Sequence, residues 1–258
     1  MSSPWLTIVT VVKDDLAGFR LTLASVLEQD RRDIQHVIVD SSLNRNEIRE
    51  ALAEADSFAD YLWVPAAGVY AAMNTGLERS AGQYVYFLNA GDWLYSPTTI
   101  TDIRQRVSSQ SPTWAFGPVE IHARNGERTL TPAWDYKHEV ALGLSRGHFP
   151  AHQGTIVRRC VLERFGGFDT SYRIAGDYAT ALRLTQVAEP LKLDFPLACF
   201  TEGGVSTVEW KQSLREFHRA RMEIWSPTGA TALREKWETL AQFVRMWIAR
   251  DVLGRGWR

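Results

Sequence analysis

Residues 83–93 read QYVYFLNAGDW, and this stretch decides the fold that the sequence predicts. Residues 83–88 are mostly aromatic or aliphatic without polar alternation, which is typical of a strand buried on both faces in a helix-covered parallel sheet. The small residues Ala90 and Gly91 allow a turn and the close approach of a ligand. Asn89 and Asp92 then offer oxygen ligands at the carboxyl end of a central strand, where open α/β sheets bind ligands. The alternative is a polar turn that caps the next helix.

The segments before this stretch alternate between strand and helix patterns. β-branched and apolar runs predict strands, and apolar residues at three- and four-residue spacing predict helices. We predict strands at 5–12, 34–40 and 61–64, and helices at 16–28, 45–56 and 68–80. This β-α-β-α-β-α-β order implies a Rossmann-like α/β fold with a mostly parallel central sheet and helices on both faces.

Three groups of polar residues fall at the carboxyl ends of these strands. They are Thr10 to Asp14, Asp40 with Ser41, and Asn89 to Asp92. Because parallel strands end at the same edge of a sheet, the three groups together predict a nucleotide site. A dinucleotide dehydrogenase is excluded, since residues 11–15 read VVKDD instead of a glycine-rich turn.

The second half of the chain has a different pattern. Asn125-Gly126 is a strong hairpin signal, and the segment from there to about 150 is predicted to be irregular. The remaining predicted strands are 113–122, 153–158 and 191–199, and the remaining predicted helices are 97–109, 177–187, 209–224 and 231–253.

Composition limits the class of protein. The chain has 258 residues, 45% hydrophobic and 23% charged, with a formal net charge of −1. This balance argues against a nucleic-acid binder, which would carry a strong basic excess. The two cysteines, Cys160 and Cys199, lack metal-ligand spacing, so a cytoplasmic protein with reduced thiols is expected. We expect neither a signal peptide nor a membrane-spanning helix.

Taken in order, the motifs resemble those of the family 2 glycosyltransferases, which have the GT-A fold, and the bacterial colanic-acid and O-antigen type most closely. The resemblance covers about residues 5–206. The matching pieces are IVTVVKD at 8–14, SVLEQ at 25–29, HVIVD at 36–40, GVYAAMNTG at 68–76, GQYVYFLNAGD at 82–92, HQG at 152–154, GGFD at 166–169, AGDY at 175–178 and GGVS at 203–206.

The resemblance implies an inverting transfer of sugar from a nucleotide-sugar donor, usually a UDP-sugar, to a hydroxyl acceptor. A divalent cation, Mg²⁺ or Mn²⁺, held by Asn89 and Asp92 would neutralise the departing diphosphate. The acceptor hydroxyl must lose a proton, and Asp177 matches the position of the base. The alternative role of Asp177 is to cap its helix.

Further positions are carried over from the family in the same way. They are Thr10 and Val12 for the base, Asp40 for the ribose or base, Asn74 facing the donor, and His152 with Gln153 on the acceptor side. A solvated strand end for Asp40, a polar helix position for Asn74 and a structural histidine at 152 are the alternatives.

Three positions depart from the family pattern and reduce the negative charge of the site. Ala66 and Ala71 stand where close relatives often carry aspartate, and Gly91 stands at the middle acid of the commoner Asp-x-Asp form. A catalytically weak or inactive nucleotide-sugar-binding protein on the same fold is therefore the alternative function. Retention of Asn89, Asp92 and Asp177 favours the enzyme.

The predicted domain organisation is a GT-A domain at 1–206 followed by a helical extension at 207–258. Residues 1–110 would form the nucleotide-binding half and 111–206 the acceptor half. The segment 231–258 is basic and rich in tryptophan, a composition that allows a helix to lie on an anionic membrane. A helix that packs on the catalytic domain or in a homodimer is the alternative. The expected location is the cytoplasm, with peripheral attachment to the inner face of the membrane left open.

Overall fold

The computed structural model describes residues 3–30, 33–131, 149–204 and 208–248. The chain forms two compact units. Unit 1 comprises Met1–Ala133, Pro150–Thr170 and Ala188–Glu202, and unit 2 comprises Trp134–Phe149, Ser171–Val187 and Gly203–Arg258. Segment 171–187 therefore groups with the C-terminal helices, whereas the sequence suggested a boundary at residue 206, which stays a prediction.

Unit 1 contains two sheets. The strands are β1 (Leu6–Val12), β2 (Ile34–Asp40), β3 (Asp60–Trp63), β4 (Tyr84–Phe87), β5 (Trp93–Leu94), β6 (Trp114–Phe116), β7 (Val119–His122), β8 (Arg128–Leu130), β9 (Thr155–Arg158), β10 (Leu191–Lys192) and β11 (Ala198–Thr201). The larger sheet has the order β10-β6-β9-β4-β1-β2-β3, and the smaller has the order β5-β11-β7-β8.

The larger sheet is mostly parallel, as predicted. β1 lies between β2 and β4 and pairs parallel with both. Every residue of β1 and β4 is buried, because these central strands are covered on both faces. β9 is the exception, since it pairs antiparallel with β4 and β6.

The helices of unit 1 cover both faces of this sheet. They are α1 (Leu16–Leu27), α2 (Arg45–Glu54), α3 (Val69–Arg79), α4 (Thr99–Gln110) and α5 (Arg159–Arg164). Ile8 belongs to a buried cluster with Ile100 and Ile103 of α4. The next residue, Val9, points to the opposite face, where a Cβ at Gly76 of α3 would lie only 2.3 Å from its Cγ1. The fold class is therefore the predicted α/β arrangement.

The smaller sheet corrects two predicted strands. Residues 113–122 form β6 and β7 in different sheets, because the chain breaks at Gly117-Pro118. A Cβ at Gly117 would lie 2.9 Å from the Phe195 carbonyl oxygen, so this crossing requires glycine. The predicted strand at 191–199 likewise divides into β10 and β11.

The hairpin at Asn125-Gly126 is confirmed. β7 and β8 pair antiparallel, and Gly126 has φ +86°, a backbone conformation that glycine adopts without strain. Most of the segment predicted to be irregular, residues 132–148, lies outside the described residues.

Unit 2 contains α6 (Gly176–Val187), α7 (Trp210–Trp225) and α8 (Gly229–Trp247). Residues 249–253 of the predicted last helix lie outside the described residues. The buried Arg221 guanidinium joins these helices: its Nε donates to Glu235 at 2.9 Å, and its terminal nitrogens donate to Tyr178 and Thr239. None of the helices in the described part of the chain has the length and apolar character needed to cross a membrane.

Candidate active site

The turn after β4 is built by backbone hydrogen bonds. The N–H groups of Leu88 and Ala90 donate to Val9 and Val11 of β1, so the chain stays paired beyond the end of β4. The Asp92 N–H then donates to the Asn89 carbonyl at 3.0 Å and closes the turn. Gly91 has φ +92°, which a side chain would strain.

Thr22 of α1 holds this turn through its hydroxyl. The buried oxygen lies 2.6 Å from the Asp92 carbonyl and 3.2 Å from the Asn89 carbonyl, and it accepts the Gly91 N–H at 3.1 Å. A Cβ at Gly18 would lie 2.9 Å from the Gly91 nitrogen, so glycine there lets α1 approach. We did not predict a role for Thr22. The available signal in the sequence was a threonine one helical turn after Gly18.

The side chains around Asp92 come from two segments. We predicted that Asn89 and Asp92 contact the donor and that His152 and Gln153 lie on the acceptor side. His152 Nε2 lies 3.1 Å from Asn89 Nδ2 and 4.0 Å from Asp92 Oδ2. The Gln153 side chain is hydrogen-bonded to Asp92. The hydroxyl of the buried Tyr86 donates to the Gln153 carbonyl at 2.5 Å and fixes this segment. Asn89, Asp92, His152 and Gln153 thus form one cluster.

Burial dominates the electrostatics of this cluster. The residue Asp92 is 8% exposed. Burial raises the pKa of its carboxyl from 3.8 to about 6, against the opposing influence of His152, the Gln153 side chain and the Asn89 backbone. The Asn89 Oδ1 atom is buried and has no hydrogen-bond partner among the described residues. A desolvated carboxylate beside an unsatisfied amide oxygen is a set of ligands suited to a hard cation.

Thr10 and Val12 are both buried in β1. The Thr10 hydroxyl lies 3.0 Å from His36 Nε2. Burial lowers the pKa of His36 to about 3, so the imidazole is neutral at physiological pH. The Thr10 side chain is therefore engaged inside the sheet, and a contact with a nucleotide base would involve its backbone.

Asp40 is fully buried at the end of β2, and both carboxylate oxygens have partners. Oδ1 accepts the Ser42 N–H at 2.8 Å, and Oδ2 accepts the Tyr61 hydroxyl at 2.8 Å. Trp63 donates its indole N–H to the Ser42 carbonyl and steadies the same loop. Asp40 thus orders the loop after β2, and its contact with the ribose or base stays a prediction.

Asn74 makes two hydrogen bonds to Phe168. Its Nδ2 donates to the Phe168 carbonyl at 2.9 Å, and its Oδ1 accepts the Phe168 N–H at 2.7 Å. The Phe168 ring packs against Tyr70 and Phe87. The amide therefore fastens the loop of the GGFD motif to α3, and donor contact by Asn74 stays a prediction.

Asp177 lies in the first turn of α6 in unit 2, where its Oδ1 accepts the Tyr178 N–H at 2.8 Å. The loop before it is held by Glu216 of α7, whose Oε2 accepts the N–H groups of Ile174 and Ala175 at 2.8 and 2.9 Å. Burial acts to raise the pKa of Glu216, but these bonds and those from Gln212 and Arg173 outweigh burial and lower it. We did not predict this role, because Glu216 lies 42 residues after Ile174 in the chain.

The fold and the oxygen-lined turn define a glycosyltransferase of GT-A architecture, and comparison with known proteins supports this class. The family model described as Glycosyl transferase family 2 matches residues 7–163, and the chain belongs to that family. It is 25% identical over 210 residues to an uncharacterized glycosyltransferase of Mycobacterium tuberculosis, covering 80% of this chain and 78% of the relative.

Two solved structures share the fold. Staphylococcus aureus TarS 1-349 in complex with UDP-GlcNAc is 13% identical, with a TM-score of 0.65, covering 95% of this chain and 73% of that chain. The mannosyltransferase PcManGT from Pyrobaculum calidifontis, in complex with GDP-Man and Mn²⁺, is 17% identical, with a TM-score of 0.63, covering 98% of this chain and 76% of that chain.

Proposed function

We propose that this glycosyltransferase transfers a sugar, with inversion, from a UDP-sugar to a hydroxyl group of a saccharide or lipid-linked acceptor in bacterial polysaccharide or glycolipid assembly. The unsatisfied Asn89 Oδ1 beside the desolvated Asp92 carboxyl, at the end of the central strand, is the observation that carries this proposal. The complexes of TarS with UDP-GlcNAc and of PcManGT with GDP-Man support a nucleotide-sugar donor.

The residues at the turn fit a divalent cation, Mg²⁺ or Mn²⁺. Asn89 Oδ1 and the Asp92 carboxylate would hold it, and Thr22 keeps the two residues in one turn. Such a cation supplies positive charge that stabilises the diphosphate as it leaves. His152 and Gln153 orient the Asp92 carboxyl from the other side.

We further propose that Asp177 is the base that accepts the proton of the acceptor hydroxyl. Support comes from its place in the AGDY motif and from Glu216, which fixes the preceding loop. Asp177→Asn should lower kcat by about 10²–10⁴-fold while UDP binding stays intact. Wild-type turnover in this variant would refute the assignment. Glu216→Gln should give a smaller loss, because it shifts the loop without removing the base.

Calorimetry with UDP tests the cation role directly. We expect UDP to bind wild-type protein more tightly in Mn²⁺ than in EDTA, and Asp92→Asn to remove that difference. Asp56→Asn, which changes an exposed aspartate outside the site, is the matched control and should keep the difference. Equal affinity of wild-type protein with and without EDTA would contradict the proposed cation.

The alternative function is a binding protein that retains the donor but does not transfer it. Ala66, Ala71 and Gly91 favour this alternative because they leave fewer acids than close relatives carry. The two functions differ in one measurement. An enzyme releases UDP from a UDP-sugar over time, whereas a binding protein gains thermal stability from the same donor without any release.

The exposed face of α8 bears on where the protein contacts a lipid-linked acceptor. It is an apolar stripe of Leu233, Trp237, Leu240, Val244, Trp247 and Ile248, with Trp237 64% exposed. The exposed charged residues on the described part of α8 are Arg234, Lys236 and Arg245, and Arg234 is paired with Glu238 at 3.0 Å. We propose that this face lies on an anionic membrane surface. A homodimer through the same face is the alternative.

Flotation with vesicles that contain anionic lipid tests the membrane proposal. Trp237→Ser with Leu240→Ser should reduce binding, whereas Leu43→Ser, which changes an exposed leucine in unit 1, should not. Point variants are preferable to truncation, because removing α8 would leave buried Arg221 without Glu235. Unchanged flotation of the double variant would refute the proposal, and loss of a dimer in light scattering would favour self-association instead.

A further inference from the structure

Three potential metal ligands meet on one face of the smaller sheet, outside the cluster around Asp92. β7 and β11 run parallel with Glu120 opposite Cys199, so these two side chains share a face. His122 lies two residues after Glu120 on the same strand and therefore on the same face. The ligand atoms of the three side chains all lie within 4.8 Å of one another.

We infer that Glu120, His122 and Cys199 form a three-ligand site for Zn²⁺. A carboxylate, an imidazole and a thiolate are the mixed set that this borderline-soft ion takes, whereas Mg²⁺ and Mn²⁺ prefer oxygen ligands alone. Three protein ligands leave a fourth position for water. The inference does not rest on the proposed transfer reaction.

Binding requires shifts of about 1 Å in both directions, since ligand atoms as far as 4.8 Å apart must approach one another and one pair must separate. Tetrahedral bonds of about 2.0–2.3 Å place ligand atoms about 3.3–3.8 Å apart. Glu120 Oε1 and His122 Nε2 are now hydrogen-bonded at 2.6 Å, so they must separate by about 1 Å. Their side chains are partly exposed, which leaves a path for the ion, while Cys199 is buried. The exposed Arg128, opposite His122 in β8, opposes a cation only weakly because solvent screens its charge.

The site borders the segment that carries Asp92. Trp93, the next residue, lies opposite Cys199 in β5, and its ring meets the His122 ring edge to face with centroids 4.8 Å apart. A bound ion would join β7 to β11 and fix the imidazole against Trp93. Zinc therefore stabilises the position of β5, the strand that follows the Asn89–Asp92 turn.

Cobalt substitution in the full-length protein tests the site. After treatment with a chelator, one equivalent of Co²⁺ should produce a thiolate-to-metal charge-transfer band that Zn²⁺ abolishes and excess Mg²⁺ leaves unchanged. Cys199→Ser should remove the band and lower zinc affinity by more than about tenfold. Cys160→Ser, which changes the exposed second cysteine, should retain both.

A second variant and a second measurement guard against misfolding of Cys199→Ser. His122→Gln changes a partly exposed side chain and should also weaken zinc binding by more than about tenfold. Zn²⁺ should raise the melting temperature of wild-type protein and Cys160→Ser but not that of His122→Gln. Absence of the band in wild-type protein would overturn the inference, leaving only a Glu–His hydrogen bond. A band that survives in Cys199→Ser would overturn it equally.

Discussion

Replacing Asp92 by asparagine should stabilise the protein at neutral pH while removing its cation-dependent affinity for UDP. The reason is that burial raises the pKa of this carboxyl from 3.8 to about 6. The folded state therefore binds a proton that the unfolded state releases. The side chain is 12% exposed, so solvent screens the effect only slightly.

The magnitude follows from the difference between the two pKa values. About two pKa units correspond to ~3 kcal/mol. Because the pKa of Asp92 is higher in the folded state than in the unfolded state, the stabilisation from its bound proton is fully present below about pH 4. It is lost as pH rises through about 6. At pH 7 the ionised carboxylate opposes folding by that amount, and asparagine does not. Divalent cations should offset part of the penalty in wild-type protein only.

Urea unfolding from pH 4 to 8 in EDTA measures the effect. The informative quantity is the difference in unfolding free energy between Asp92→Asn and wild type, since other groups titrate equally in both. We expect this difference to grow by ~3 kcal/mol between pH 4 and 7. Asp56→Asn, an exposed control, should keep the wild-type profile. A difference that is constant with pH would refute the reasoning about burial.

Three further predictions concern buried polar groups. Thr22→Val should lower the free energy of unfolding by about 1–3 kcal/mol, because the Gly91 N–H loses its partner, and Thr22→Ser should recover most of it in urea titrations. The unfolding free energy of wild-type protein relative to His36→Asn should fall by about 5 kcal/mol between pH 6.5 and about 3, because burial lowers the pKa of His36 to about 3 and the unfolded state then binds a proton that the folded state does not. Glu235→Ala should cost about 3–5 kcal/mol by leaving buried Arg221 unpaired, and an effect below about 1 kcal/mol would contradict burial of the pair.

The sheet around β1 and β4 could be predicted because its signals are local. Each strand is a continuous apolar run, each helix has a periodic apolar face, and the order alone implies parallel pairing. The smaller sheet could not be predicted in this way. Its strands have two to four residues, and β5 and β11 are brought together from positions 93–94 and 198–201 by pairing that no local pattern records.

The candidate site was predictable where a motif carries it and unpredictable where tertiary contacts decide. Asn89 and Asp92 could be named from the end of one buried run. Thr22 could not, because its role depends on how closely α1 approaches the turn through Gly18. The two hydrogen bonds of Asn74 to the Phe168 backbone could not be predicted either, because they join positions far apart in the chain, and donor contact by Asn74 stays a prediction.

The backbone at Gly91 constrains which residue this turn can carry. Its φ of +92° would strain an aspartate by about 1–2 kcal/mol. The new Cβ would also lie 3.7 Å from the Asp15 carboxylate, so an acid at this position would meet an existing negative charge. An acid at position 91 is therefore disfavoured by both the backbone conformation of this turn and the neighbouring Asp15 carboxylate.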